Sequence, residues 1–147
     1  MSGSRREHIS TIGAKVIGVF NIIMALAVLV SLGSKIAWAR GTIFLPFGTA
    51  VAVVCESLLI ILAFLSGVGC LKRSLVLGRY VGSACCVAMM AYYAASGVAS
   101  LKMASTPIAR ILFIQWLLAS LIVYGAILIL LNTWLRSSFP KKAERSA

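Results

Sequence analysis

Four long apolar runs, separated by short polar segments, dominate the pattern of the chain. They cover residues 12–32, 46–69, 80–101 and 111–131. The hydrocarbon core of a bilayer is about 30 Å thick and a helix rises about 1.5 Å per residue, so about 20 apolar residues are needed to cross it. The pattern therefore predicts an all-α, four-helix transmembrane bundle in residues 12–135, between a polar N-terminal tail (1–11) and a basic C-terminal tail (136–147).

The first run has a second interpretation, as a signal peptide. It comes after a basic start and precedes Ala37-Trp38-Ala39, which imitates a cleavage site. A signal peptide has an apolar stretch of about 7–15 residues. The run here is longer, and Lys35 lies between it and the Ala-Trp-Ala tripeptide, so we favour a membrane span.

The basic residues predict the orientation, because cytoplasmic loops carry an excess of Lys and Arg. Ten lie on the side of the two tails and the second connection, and four lie on the other side. We therefore expect both termini in the cytoplasm, with Lys72, Arg73 and Arg79 as cytoplasmic basic anchors at the membrane surface. The same face could also bind anionic lipid or an acidic partner.

Composition supports the membrane class and argues against nucleic acid as a partner. Hydrophobic residues make up 61% of the chain, against about 45–50% in soluble domains even with glycine counted. The net charge of +11 would suggest nucleic-acid binding in a soluble chain, but here the basic residues lie singly or in pairs beside apolar runs. The expected partners are the lipid bilayer and other membrane subunits or a second copy.

Polar side chains near the middle of the runs predict one intramembrane polar layer, composed of Asn21, Glu56, Tyr92, Tyr93 and Ser120. Glu56 is the most informative, because an isolated acid at mid-depth opposes insertion by about 2.5–3.5 kcal/mol. We expect no Lys or Arg at its depth, which favours the neutral acid. It could then bond to Asn21 or a hydroxyl as structural glue, or bind and release a proton or cation during transport.

Small residues predict the helix contacts, because they let backbones approach closely. One face of the first helix carries Ala14, Gly18, Asn21, Ala25 and Val28, and the second helix offers Gly67. The third helix has Gly78 and Gly82 in a GxxxG pattern and a row at Ala91, Ala95 and Ala99. The bulky fourth helix is expected to face lipid or a partner. The same packing role is expected of Cys55, Cys70, Cys85 and Cys86, in preference to a disulfide or metal site.

Enzymatic chemistry has little support in the residue types present. His8 is the one histidine and lies in the tail, and the acids are Glu7, Glu56 and Glu144. This leaves no catalytic triad, no haem ligand in the bundle and too few hard ligands for a metal pair. We expect no catalytic residue, no metal and no cofactor, and therefore no enzyme.

The connection from Gly67 to Gly82, with its Gly-rich helix end, the Lys72-Arg73 pair and the Gly78-Arg79 start of the next span, resembles a pattern in small uncharacterised bacterial four-helix integral membrane proteins. The resemblance implies a multi-pass protein of the bacterial cytoplasmic (inner) membrane and no particular activity. The sequence favours a non-enzymatic accessory or scaffold subunit of a membrane complex or homo-oligomer. The alternative is a small proton-coupled transporter or channel that uses Glu56.

Overall fold

The computed structural model describes residues 3–39, 47–103 and 105–139, and these residues form helices joined by short turns. The helices are α1 (Gly3–Ala39), α2 (Phe47–Leu71), α3 (Gly82–Met103) and α4 (Pro107–Asn132), with a π-helical segment (Leu75–Val81) before α3 and a 3-10 turn (Trp134–Ser138) after α4. Four helical stretches are long and apolar enough to cross a membrane. This confirms the all-helical fold and the prediction of four helices that are long and apolar enough to span a membrane.

The first helix is longer at both ends than predicted. α1 has 37 residues and is therefore about 55 Å long; it includes residues that the pattern gives to the N-terminal tail and the segment 33–39, where a loop is predicted. A lone glycine such as Gly33 costs a helix only about 1 kcal/mol, and no proline interrupts this stretch. The remaining loop residues, including Arg40 and Pro46, and the tail residues Lys141, Lys142 and Arg145 lie outside the described part of the chain.

The connection between α2 and α3 is shorter than predicted. Arg73 turns the chain with a left-handed backbone (φ 55°), and the Ser74 amide donates to the Gly69 carbonyl at 2.8 Å. The Ser74 hydroxyl then accepts from the Leu77 amide at 3.3 Å and caps the π-helical segment. Helical structure consequently resumes at Leu75, so the third span begins five residues earlier than predicted.

The fourth span also begins earlier than predicted. The Thr106 hydroxyl accepts from the Ala109 amide at 3.2 Å, and Pro107 occupies the first turn, where a missing amide proton leaves no bond unmade. α4 is the least buried of the four spans, which confirms the prediction that much of its surface faces outward.

Close glycine contacts set the register of α1 against α2. A Cβ atom added to Gly18 would lie 2.9 Å from the Gly67 carbonyl oxygen, and one added to Gly67 would lie 2.6 Å from Ile22 Cγ1. The predicted packing face of α1 is confirmed, because Ala14, Gly18, Asn21, Ala25 and Val28 are all buried.

The row of small residues on α3 does not form the predicted helix contact within the chain. Ala91, Ala95 and Ala99 are exposed, whereas the interior face of α3 is formed by larger side chains, among them Cys85, Met89 and Tyr93. Burying these larger groups against protein gains more contact than burying methyl groups, so the alanines are left on the outer surface.

Candidate functional site: a cavity beside Glu56

A cavity of about 800 Å³ lies between α1, α3 and α4, with Glu56 as the contribution of α2. The Phe20 and Tyr124 rings bring α1 and α4 together at one end, with centroids 6.1 Å apart. The cavity occupies the other part of the bundle. Its lining residues are Met24, Ala27, Val28, Ser31, Glu56, Tyr92, Tyr93, Ser96, Ser100, Leu112, Phe113 and Trp116.

The Glu56 carboxylate is the polar centre of this site and is only 1% exposed. Its Oε1 atom accepts hydrogen bonds from the Lys35 ammonium and the Tyr92 hydroxyl. Its Oε2 atom is buried and has no hydrogen-bond partner among the described residues. Buried carboxylate oxygens are usually satisfied, so Oε2 is an unsatisfied acceptor inside the bundle.

The ion pair with Lys35 corrects the expectation that Glu56 has no counter-charge. The sequence pattern predicts a loop at Lys35, but α1 continues through it to Ala39. Helical side chains lean toward the N-terminus, so Lys35 reaches back along α1, into the bundle instead of out to the membrane surface.

Asn21 does not share the depth of Glu56, which corrects the prediction of a single polar layer. Its amide donates to the Ser66 hydroxyl at 2.9 Å. The helices α1 and α2 run antiparallel, and Asn21 lies level with Ser66. Glu56 precedes Ser66 by ten residues on α2, so the residue level with Glu56 on α1 follows Asn21 by ten residues and is Ser31. Asn21 therefore lies about 15 Å from that level. The prediction failed because it placed each residue relative to an assumed span centre, and α1 extends well beyond the assumed span.

The two tyrosines of the predicted layer do lie beside Glu56, and Ser120 makes a different contact. Tyr92 bonds to the carboxylate, and the Tyr93 ring contacts Tyr92 at a centroid distance of 5.7 Å. The Ser120 hydroxyl donates to the Trp116 carbonyl of its own helix at 2.9 Å.

Aromatic rings form one wall of the cavity. Tyr93 and Trp116 meet edge to face with centroids 4.8 Å apart, and Tyr93 stacks on Tyr124 at 5.9 Å. Trp116 lines the cavity and is 51% exposed. A ligand in this cavity would meet these aromatic rings as well as the Glu56 carboxylate.

Three serines that line the cavity were not among the site residues predicted from the sequence. Ser96 and Ser100 follow Tyr92 at intervals of four residues, which places all three on one face of α3, and Ser31 lies on α1 opposite Glu56. The four-residue spacing on α3 was visible in the sequence. The spacing indicates a site only together with the contact between the Tyr92 hydroxyl and Glu56, which the sequence does not show.

The remaining predicted site residues lie at the other end of α2 and α3. Gly78 approaches the Gly69 backbone, and a Cβ on Gly82 would lie 3.0 Å from the Ser66 hydroxyl oxygen. Arg79 stacks its guanidinium over the Tyr80 ring at 5.6 Å, and its Nε atom is buried without a hydrogen-bond partner among the described residues. Lys72 is exposed and Arg73 is partly buried.

The four cysteines are free thiols. Three of them are fully buried, whereas Cys55 is exposed, so the expected packing role is wrong for Cys55. Within the described parts of the chain, no group of three or more His, Cys, Asp or Glu side chains could hold a metal ion.

No family model matches the chain, and neither the curated proteins nor the solved structures include one that is significantly similar to it.

Proposed function

We propose that the protein is a small membrane carrier that binds a solute in the cavity and uses Glu56 as the coupling group. The observation that carries this proposal is the Glu56 carboxylate, which is fully buried at the cavity wall and has one oxygen, Oε2, without a partner among the described residues. An ionisable residue within a span is costly to insert and usually serves a substrate or ion pathway.

The cavity is the reason to prefer a carrier over the accessory subunit that the sequence favoured. Its volume of about 800 Å³ falls within the range of about 300–1,000 Å³ typical of small-molecule sites. Structural glue requires only that the polar groups of the site bond to each other. Here the Oε2 atom has no partner among the described residues, and Glu56 lines an open space. A subunit that only packs against partners needs neither.

The orientation proposed from the basic residues determines toward which side of the membrane the cavity extends. With both termini in the cytoplasm, the cavity extends from Glu56 toward the outer ends of the helices, because Ser100 and Leu112 lie near the outer connection between α3 and α4. We place the protein in a bacterial cytoplasmic membrane, where a carrier has an aqueous phase on each side.

Thiol labelling tests whether the cavity opens to water on both sides. Ser96→Cys puts a thiol in the cavity. Val54→Cys puts a matched thiol on the lipid-facing surface of α2, where Val54 is 59% exposed. The probe is a charged, membrane-impermeant methanethiosulfonate, applied to right-side-out and inverted vesicles, with the native protein as background.

A carrier should be labelled at Ser96→Cys from both sides, and Val54→Cys, facing lipid, should stay at background. Labelling of Ser96→Cys from one side alone would identify a static pocket and reject transport. Absence of labelling above background from either side would show that water does not reach the cavity, and the proposal would fail.

The accessory-subunit function remains a second candidate because of the outer face of α4. Large apolar side chains such as Ile108 and Ile122 are about 70% exposed there, and either lipid or a partner helix can cover them. The mass and composition of the particle extracted in lipid nanodiscs distinguish the two: stoichiometric co-purification with other membrane chains supports the subunit, and a particle of this chain alone supports the carrier.

A further inference from the structure

We infer that the cavity binds a primary amine attached to an apolar, ring-sized body, and that the Lys35 ammonium is an internal competitor for the same carboxylate. This inference rests on the proposed function, because it names the class of solute that the carrier would take. It follows from the position of Lys35 and from the free oxygen of Glu56.

Lys35 itself demonstrates the chemistry that the site accepts. A primary ammonium attached to a flexible alkyl stem lies against Glu56 Oε1, next to the Tyr92 hydroxyl. An ammonium group has three donors. A ligand amine in the place of the Lys35 ammonium could therefore bond to Oε1 and, once the carboxylate turns, also to Oε2, which is buried and has no partner among the described residues. The ligand would then satisfy more of the carboxylate than Lys35 does.

The rest of the cavity suits an apolar body with an aromatic ring. Trp116, Tyr93 and Phe113 line it together with aliphatic side chains. An aromatic face attracts a nearby cation, and the attraction grows as the site loses water. Ser96 and Ser100 add two hydroxyls along the same wall, which allows for a polar group on the ligand.

Lys35 can leave Glu56, whereas Glu56 cannot follow it. The Lys35 side chain is 37% exposed and the Glu56 side chain is 1% exposed, so the long lysine stem can turn toward water while the acid stays in place. Two ammonium groups on one buried carboxylate would repel each other, so amine and Lys35 bind in exchange. The exchange keeps the site electrically neutral before and after binding.

Equilibrium binding of three matched probes tests both parts of the inference. The probes are tritiated 2-phenylethylamine, 2-phenylethanol and phenylacetate, which share a ring and differ in charge. They are dialysed against the full chain in nanodiscs of zwitterionic lipid, with empty nanodiscs subtracted. Glu56→Gln removes the acid, Lys35→Met and Lys35→Gln each remove the competitor, and Cys55→Ser is the control, because Cys55 adjoins Glu56 in sequence but is exposed.

We expect the native protein and Cys55→Ser to bind the amine more tightly than the alcohol or the acid, and Glu56→Gln to lose that preference. Both Lys35 variants should bind the amine about tenfold more tightly, which corresponds to about 1.4 kcal/mol of competition removed. Equal binding of amine and alcohol, weaker amine binding in both Lys35 variants, or no saturable amine binding in any of these proteins would each overturn the inference.

These outcomes are separable from failure of the carrier proposal. If the amine does not bind but Ser96→Cys is labelled from both sides, the carrier stands and the solute belongs to another class. If the amine binds with the expected pattern but labelling comes from one side alone, the assignment of the ligand stands and the protein binds it without transporting it.

Discussion

Replacing Gly67 with alanine should push α1 and α2 apart, and the size of the effect can be worked from the contacts. The new Cβ would lie 2.6 Å from Ile22 Cγ1 and 2.9 Å from the Gly18 carbonyl oxygen. The isoleucine could move, but the oxygen belongs to the backbone of α1 and can move only with the helix. Such overpacking costs about 1–3 kcal/mol, and the better helix propensity of alanine offsets up to about 1 kcal/mol.

With about 2 kcal/mol for the overpacking and about 0.5–1 kcal/mol for the gain in helix propensity, the expected net loss of unfolding free energy is about 1–1.5 kcal/mol. Gly125→Ala is the matched control, since a Cβ there meets nothing within 4 Å, and it should be neutral or slightly stabilising. The measurement is unfolding by dodecyl sulfate in mixed micelles, followed by tryptophan fluorescence. Should Gly67→Ala prove as stable as Gly125→Ala, the glycine contact would not set the spacing of α1 and α2.

Three further predictions concern other contacts. In a double-mutant cycle, Asn21→Ala and Ser66→Ala should show a coupling of about 0.6 kcal/mol and at most about 1.7 kcal/mol, the range found for hydrogen bonds between membrane helices; additive effects would show that their 2.9 Å contact contributes nothing. N-ethylmaleimide is uncharged and can enter the lipid phase, so it should modify Cys55, the exposed thiol, before the other cysteines, as read by peptide mass spectrometry. Earlier modification of a buried thiol (Cys70, Cys85 or Cys86) would contradict the burial pattern. Ser74→Ala should lower stability by about 1 kcal/mol through loss of a helix cap, and an unchanged midpoint in the dodecyl sulfate titration would refute that role.

The number of helices could be predicted from the sequence because length and hydropathy decide it. Four apolar runs give four spans regardless of tertiary detail. The packing face of α1 was predictable for a similar reason, since its small residues recur at helical spacing. Helix ends were less accessible: nothing in the residues around Gly33 stops α1, so the helix continues to Ala39.

The central residues of the site could be predicted from the sequence, whereas the contacts that they make between helices could not. Glu56 was identifiable because an acid in an apolar run is rare, and Tyr92 because it lies near the middle of its run. The partner Lys35 depends on the relative register of α1 and α2, which the contact of Gly18 with Gly67 sets. That contact places Asn21 with Ser66 and away from the acid. A hydropathy pattern gives depth within one helix and carries no information about register between two.

The pairing of Lys35 with Glu56 also bears on how the chain enters the membrane during synthesis. Both residues belong to the first helical hairpin, α1 and α2, which leaves the ribosome before α3. An unpaired acid opposes insertion by about 2.5–3.5 kcal/mol. Because its counter-ion arrives in the same hairpin, Glu56 can be neutralised as the hairpin inserts, without waiting for Tyr92. Insertion of the first hairpin would then carry no unpaired acid, and the cavity forms where α3 and α4 pack against this hairpin.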